Sequence, residues 1–240
     1  MQKSALFFVP IFSFASAFAQ DGYYIKASGG AGITSSAFGI MSSSAAADHK
    51  NISSGQAQLN LGYTYGNLQL ETGVGYLQTG VGFEIGPGHP GCMVFPGSTV
   101  PKLTAAGNYT IRNGHIVLPA SIGYIINKRG KLSVVPGIGI EAAYNFEGKV
   151  SVTNRGESPQ SLTPDYKYNQ ASALVLVKFD VQYRISRQLS IWCSPSYQQM
   201  VTSLTKKVQG DSMSRIYDHA MLVSLGVTYA FHLKVKTPKA

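Results

Sequence analysis

The side chains of this sequence that could do chemistry fall into three sets. Lys26, Glu71, Glu141, Lys178, Asp180 and Arg184 are ionisable groups set among apolar and glycine-rich neighbours, where an unpaired buried charge is costly. His49, His89, His115 and His219, with Asp48 and Asp218, form the second set. In Asp218-His219 a carboxylate stands beside an imidazole, the pairing that general acid–base hydrolysis of a lipid or peptide needs. The serines around them are too many to single out a nucleophile, so no catalytic residue is assigned. Cys92 and Cys193 make the third set and could form one disulfide in an oxidising compartment. Cys193 falls in a strand pattern and Cys92 in a long connection, so unpaired thiols are expected. The spacing of the two cysteines and the scattered histidines gives no metal-ligand set, and no cofactor is expected.

The elements that carry these groups announce themselves by alternation, which in a strand sends successive side chains to opposite faces. Met221, Val223, Leu225, Val227, Tyr229, Phe231 and Leu233 make one face of the last segment, and Ala220, Ser224, Gly226, Thr228 and Ala230 most of the other. Ala171 to Ile185 repeats the pattern, with Val175, Val177, Phe179, Val181 and Tyr183 opposite Lys178, Asp180, Gln182 and Arg184. Gly55–Tyr65, Leu68–Tyr76, Leu132–Phe146 and Leu189–Tyr197 follow the same rule; Tyr23–Ile33 and Ile116–Ile126 follow it less cleanly. Lys or Arg on a lipid-facing surface costs roughly 2–4 kcal/mol near the bilayer midplane, so the charged face must point inward. Pro119, Pro136 and Pro195 would each remove a ladder donor and are expected at bulges or bends.

Connections carry an independent signal. Gly66-Asn67, Asn127–Gly130 and Ser186–Gln188 are short and of turn composition, whereas 34–54, 86–113, 147–169 and 205–218 are long and aperiodic. Four long connections alternating with three short ones require eight strands with both chain ends on the short-turn side. In lipid an open sheet edge has no water to satisfy it, so the sheet must close. The expected fold is therefore all-β, a closed antiparallel up-and-down transmembrane β-barrel of eight strands, spanning residues 20–233. Residues 1–19 read as a cleaved signal peptide, with Lys3, an apolar run from Ala5 to Phe14 and Ala17-Phe18-Ala19 before the cut. Residues 234–240 are then a short periplasmic tail.

Composition agrees. Only 13% of residues are charged and mean hydropathy is +0.03, with no run of the roughly 20 apolar residues that a spanning helix needs. The 26 glycines suit a narrow lumen, and the 14 tyrosines suit interfacial girdles. The net charge of +9 is spread over short clusters such as Lys128-Arg129-Gly130-Lys131, which fit solvated turns and lipid headgroup contacts rather than nucleic acid.

The segment Gly114 to Tyr144, GHIVLPASIGYIINKRGKLSVVPGIGIEAAY, resembles the PorT-type outer-membrane β-barrel family through Ile116, Pro119, Tyr124, Pro136, Gly137 and Gly139. VKFDVQYRISRQLSIWCSPSY resembles the next hairpin of that family and LVSLGVTYAF its closing strand. Ala120 and Gly123 stand where family members usually have Leu and Lys. The resemblance implies an outer-membrane barrel, in a family some of whose members serve protein secretion, and it carries over no catalytic residue.

An eight-stranded barrel is just wide enough for its own side chains. Lys26, Glu71, Glu141, Lys178, Asp180 and Arg184 are therefore expected to pair as a lumen plug. The leading functional expectation is a structural or interaction barrel of the bacterial outer membrane, meeting an envelope or extracellular protein partner through its loops. A small pore or secretion accessory and an outer-membrane hydrolase are the alternatives; a soluble lipocalin-like barrel would need the faces reversed. Expected partners are outer-membrane lipids and the barrel-assembly machinery, which Tyr229 and Phe231 near the end of the last strand would address; nucleic acid is not expected.

Overall fold

A computed structural model describes residues 22–38, 47–85, 107–128, 130–153, 160–162, 170–202 and 216–231. Its strands are β1 (Tyr23–Phe38), β2 (Ala47–Lys50), β3 (Ile52–Tyr65), β4 (Leu68–Ile85), β5 (Gly107–Tyr124), β6 (Leu132–Thr153), β7 (Gln160–Leu162), β8 (Ala171–Arg184), β9 (Leu189–Met200) and β10 (Ile216–Phe231). Eight of these, all but the short β2 and β7, are staves of one closed antiparallel ring. Each stave pairs with the staves before and after it in sequence, and β1 pairs with β10 from Tyr23↔Phe231 to Phe38↔Ile216. Closure leaves no stave with an unpaired edge along the barrel body, which is what the alternating pattern demanded.

The short turns match their composition. Gly66 adopts φ 56° and Asn127 φ 61°, the left-handed region that glycine and asparagine tolerate. The Asn127 side-chain amide donates to the Leu132 carbonyl at 2.9 Å, and Ser186 Oγ accepts from the Gln188 and Leu189 amides at 3.2 and 3.0 Å. All three turns lie at one end of the barrel with both ends of the described chain; this is the turn end, and the opposite one is the loop end.

The prolines meet their expectation in part, and the strand bounds need correction. The prolines produce no bulge: β4–β5 pairing lapses beside Pro119, β8–β9 pairing beside Pro195 and β5–β6 pairing beside Pro136, and each ladder resumes in the same register. A missing N–H removes one bond without inserting a residue. The register shift lies instead at Gly114/His115, where β6 carries Phe146 as an extra residue.

Several strands also run further toward the loop end than alternation suggests, β4 to Ile85 and β5 back to Gly107. Their loop-end parts are rich in Gly, Asn and Thr, which read as connection. The partner of β4 changes register by one residue between β3 (Gly55↔Gln78) and β2 (Lys50↔Gly82), so β2 continues β3 past an irregularity. Gly80 sits there at φ 154°, and a Cβ on it would collide with the Ile111 carbonyl. Finally, the wall is uneven: β2, β4, β5, β6 and β7 form a raised lip at the loop end, whereas β8–β9 pairing stops at Leu174↔Met200.

The two faces sort as alternation requires. Ile138, Ile140 and Leu225 on the outside are 61%, 65% and 64% exposed, while Lys26, Glu141 and Asp180 on the inside are 2%, 1% and 1% exposed. The signal segment 1–19, the tail 234–240, Leu233, Cys92 and most of the four long connections lie outside the described residues. Cys193 carries a free thiol on a half-buried position of β9.

Candidate functional site

The lumen is layered, and each layer follows from which inward positions of the staves share a height. Nearest the turn end, β1, β4, β8 and β9 contribute Tyr24, Lys26, Gln69, Glu71, Lys178, Asp180 and Trp192. Lys26 Nζ lies 3.2 Å from Glu71 and also holds Asp180; Lys178 holds Glu71 and lies 3.9 Å from Asp180. Two cations and two anions thus form a charge-balanced quartet from three strands. Tyr24 Oη donates to Glu71 at 3.0 Å, Gln69 Nε2 donates to Glu71 at 3.1 Å, and Lys26 Nζ sits 3.8 Å from the centre of a Trp192 ring. In a low-dielectric interior such mutual satisfaction is what makes buried charge tolerable.

Glu141 and Arg184 stand apart from the quartet. Glu141 is in the lumen one layer further up, where Gln58 and Gln198 donate to it at 3.3 and 3.4 Å, and no cation pairs with it among the described residues. Arg184 has inward parity but lies past the rim. It is exposed and donates to the Lys128 carbonyl at 2.9 Å. The sequence places it on the charged face, but at the last residue of β8 that face has already left the barrel.

The next layer is made of amides and hydroxyls, including Gln56, Gln58, Gln198 and Ser224, and the cavity among them and the quartet has a volume of about 20 Å³. That is room for about one water molecule and no more. Above it Leu77, Val117, Ala143, Leu174, Met200, Ala220 and Leu222 close the bore with an apolar layer. An ion crossing the lumen would have to displace both layers.

Above the apolar layer lies a cluster that alternation did not find. Thr79 (β4), Asn113 and His115 (β5), Asn145 (β6), Ser172 (β8) and Asp218 (β10) are buried together. Thr79 Oγ1 donates to Asp218 and lies 2.7 Å from His115 Nε2; Asn113 donates to Asp218 at 3.1 Å; His115 Nδ1 meets the Asn145 side-chain amide, which donates to Ser172 at 2.7 Å. His115 and Asp218 are 4.0 Å apart and both wholly buried. A hydroxyl, an imidazole and a carboxylate are in reach of one another, but the carboxylate holds the hydroxyl rather than the imidazole Nδ1. All three are buried among the described residues. The arrangement is a clip across five staves. His219 is half-buried near the Tyr197 ring, at 6.4 Å. The side chains of Asp48 and His49 and the whole of His89 lie outside the described residues. Of the clip, the sequence singles out His115 and Asp218 by residue type, and parity adds that Asn113, His115 and Val117 fall on alternate positions.

Lumen glycines set how tightly the staves pack around these side chains. Gly226 in β10 faces Trp192, and a Cβ there would lie 2.6 Å from the indole ring and closer still to the Ala27 carbonyl. Substituting Gly226→Val is expected to prevent closure of the β1–β10 seam. The check is gel migration of the unheated protein, which should lose its compact, heat-modifiable form.

No family model and no curated protein matches the chain, so the PorT-type resemblance rests on its motif residues alone. Among solved structures the chain is similar to a major outer membrane protein from Thermus thermophilus (14% identity, 87% of this chain and 99% of that one, TM-score 0.47). It is also similar to the outer membrane protein OprG from Pseudomonas aeruginosa (11%, 89% and 98%, TM-score 0.45). Neisserial surface protein A is a further neighbour (13%, 87% and 97%, TM-score 0.42).

Proposed function

We propose that this protein is a bacterial outer-membrane barrel with a closed lumen, acting as a structural and interaction element through its raised loop end. The observation that carries this reading is the outer face. Thirty-three large apolar side chains are exposed there, whereas a soluble monomer rarely exposes a contiguous apolar patch above about 300–600 Å². On β6 the stretch from Leu132 to Tyr144 would rise roughly 30 Å at about 3.3 Å per residue and a ~40° tilt, close to the thickness of a hydrocarbon core. Tyr65, Tyr124, Tyr183 and Tyr229 ring the turn end of the belt, and Tyr76, Tyr144 and Phe146 lie toward the loop end, as interfacial girdles do.

Cell fractionation combined with heat-modifiable gel migration tests location and closure together: the protein should co-fractionate with the outer membrane and migrate faster unheated. Recovery in the soluble fraction overturns the reading. The apolar layer and the filled quartet favour a plug over a pore, so planar bilayers should show no discrete large conductance. Steady open-channel steps would restore the pore reading. The closing strand carries Tyr229 on the lipid face and Phe231 stacked 6.2 Å from Tyr23 at the seam, positions where an assembly machinery could read them. Deleting Tyr229 to Leu233 should strand the chain in the periplasm, and normal insertion of the truncated protein sinks the assignment.

A further inference from the structure

We infer that the turn end carries a binding site for an anionic phospholipid headgroup on one side of the barrel, formed by Lys128, Lys131, Arg184 and Arg187. The inference rests on the membrane reading above and adds a partner chemistry to it.

The four cations come from two neighbouring turns that are tied together. Arg184 Nη2 donates to the Lys128 carbonyl at 2.9 Å, the Arg184 amide donates to the Lys131 carbonyl at 2.7 Å, and Lys128 Nζ reaches the Gly66 carbonyl at 2.5 Å. Lys131, Arg184 and Arg187 are exposed and Lys128 is half-buried. None of the four has an acidic partner among the described residues. The contrast with the loop end is direct, since Lys50 there holds Glu84 at 2.5 Å and Lys149 holds Glu147 at 2.5 Å. The nearest carboxylates in sequence, Asp180 and Glu141, are buried in the lumen and Asp180 is already paired with Lys26. The patch is therefore a field of one sign that the described chain does not neutralise.

Its position selects the ligand. Each cation stands within two residues of a side chain on the apolar belt: Ile126 before Lys128, Leu132 after Lys131, Tyr183 and Ile185 around Arg184, and Ile185 before Arg187. Side chains of this length at a belt's edge keep their stems on hydrocarbon and their heads among phosphates. The third turn, Gly66-Asn67, has no charge, so among the described turns the patch covers one side of the rim. Guanidinium and ammonium groups carried on two tied turns suit a phosphodiester, which Arg binds through paired N–H donors. A zwitterionic choline headgroup places its own cation against the patch, and a phosphatidylglycerol headgroup does not.

Native mass spectrometry of the folded barrel in detergent, with dioleoylphosphatidylglycerol, dioleoylphosphatidylcholine or glycerol phosphate added in turn, tests this. The wild type should retain phosphatidylglycerol about tenfold more than phosphatidylcholine, a difference of about 1.4 kcal/mol. The double variant K131Q/R187Q, whose altered side chains hold no part of the turn together, should lose most of that preference while keeping heat-modifiable migration. Equal retention of both lipids by the wild type, or an unchanged preference in the variant, overturns the site. Displacement of the lipid by glycerol phosphate at matched concentration also overturns it, because the ligand would then be a soluble phosphate. If the barrel fails to insert into phosphatidylcholine vesicles at all, the membrane reading fails; insertion without lipid preference refutes this site alone.

Discussion

Replacing Lys26 by methionine is expected to destabilise the folded barrel by about 3–5 kcal/mol, the usual cost of removing one partner from a buried ion pair. Lys26 lies between Glu71 and Asp180, with 2% of its side chain exposed, and covers the Trp192 ring. Without it Lys178 alone faces two carboxylates, and the sealed lumen holds a net negative charge that the cavity of about 20 Å³ cannot hydrate. Methionine fills much of the same volume, so the loss reports charge rather than a cavity. The double variant K26M/D180N restores balance by leaving Lys178 with Glu71, and should recover most of the stability. Guanidinium unfolding of the refolded barrel in vesicles, followed by gel migration, measures both. If K26M unfolds at the wild-type midpoint, the quartet is not a structural unit.

Leu225→Arg is the second large effect, and it tests which face meets hydrocarbon. Leu225 is 64% exposed at the centre of the outer face of β10, flanked by Val223 and Val227. An arginine at the midplane of a lipid-facing belt costs roughly 2–4 kcal/mol, and the cost falls to about 0–1 kcal/mol near the interface. Leu132→Arg, at the turn end of β6, should therefore be tolerated where L225R is not. The same vesicle unfolding assay compares them. A barrel with its outer face in water predicts that both substitutions are neutral, so equal midpoints for L225R, L132R and wild type would reverse the membrane assignment.

The alternation of side chains made the strands, the three turns and the inward direction of Lys26, Glu71, Glu141, Lys178 and Asp180 legible, because a period of two is a property of local backbone geometry. It also settled three hairpins, β3–β4, β5–β6 and β8–β9, since turns of two to four residues join adjacent antiparallel strands; the order of the hairpins in the ring came from the pairing. Local pattern could not rank those inward charges by height. Arg184 and Asp180 share a face in sequence, yet four residues of rise carry one past the rim while the other meets Lys26 from β1, 154 positions away.

The same limit hid the Thr79–His115–Asp218 clip. Asn113 and Asp218 lie in segments that read as loop, and only the strand extensions of β5 and β10 turn them into lumen. The sequence also told that each proline removes a ladder donor, but not that the ladder resumes in the same register beyond it, which the neighbouring strand decides. Sequence by itself determined which side of each ribbon is apolar, since that is written one residue at a time. The tertiary structure alone decided which inward groups share a layer, because height in a closed barrel is set by the register between staves, and register is a property of pairs of strands.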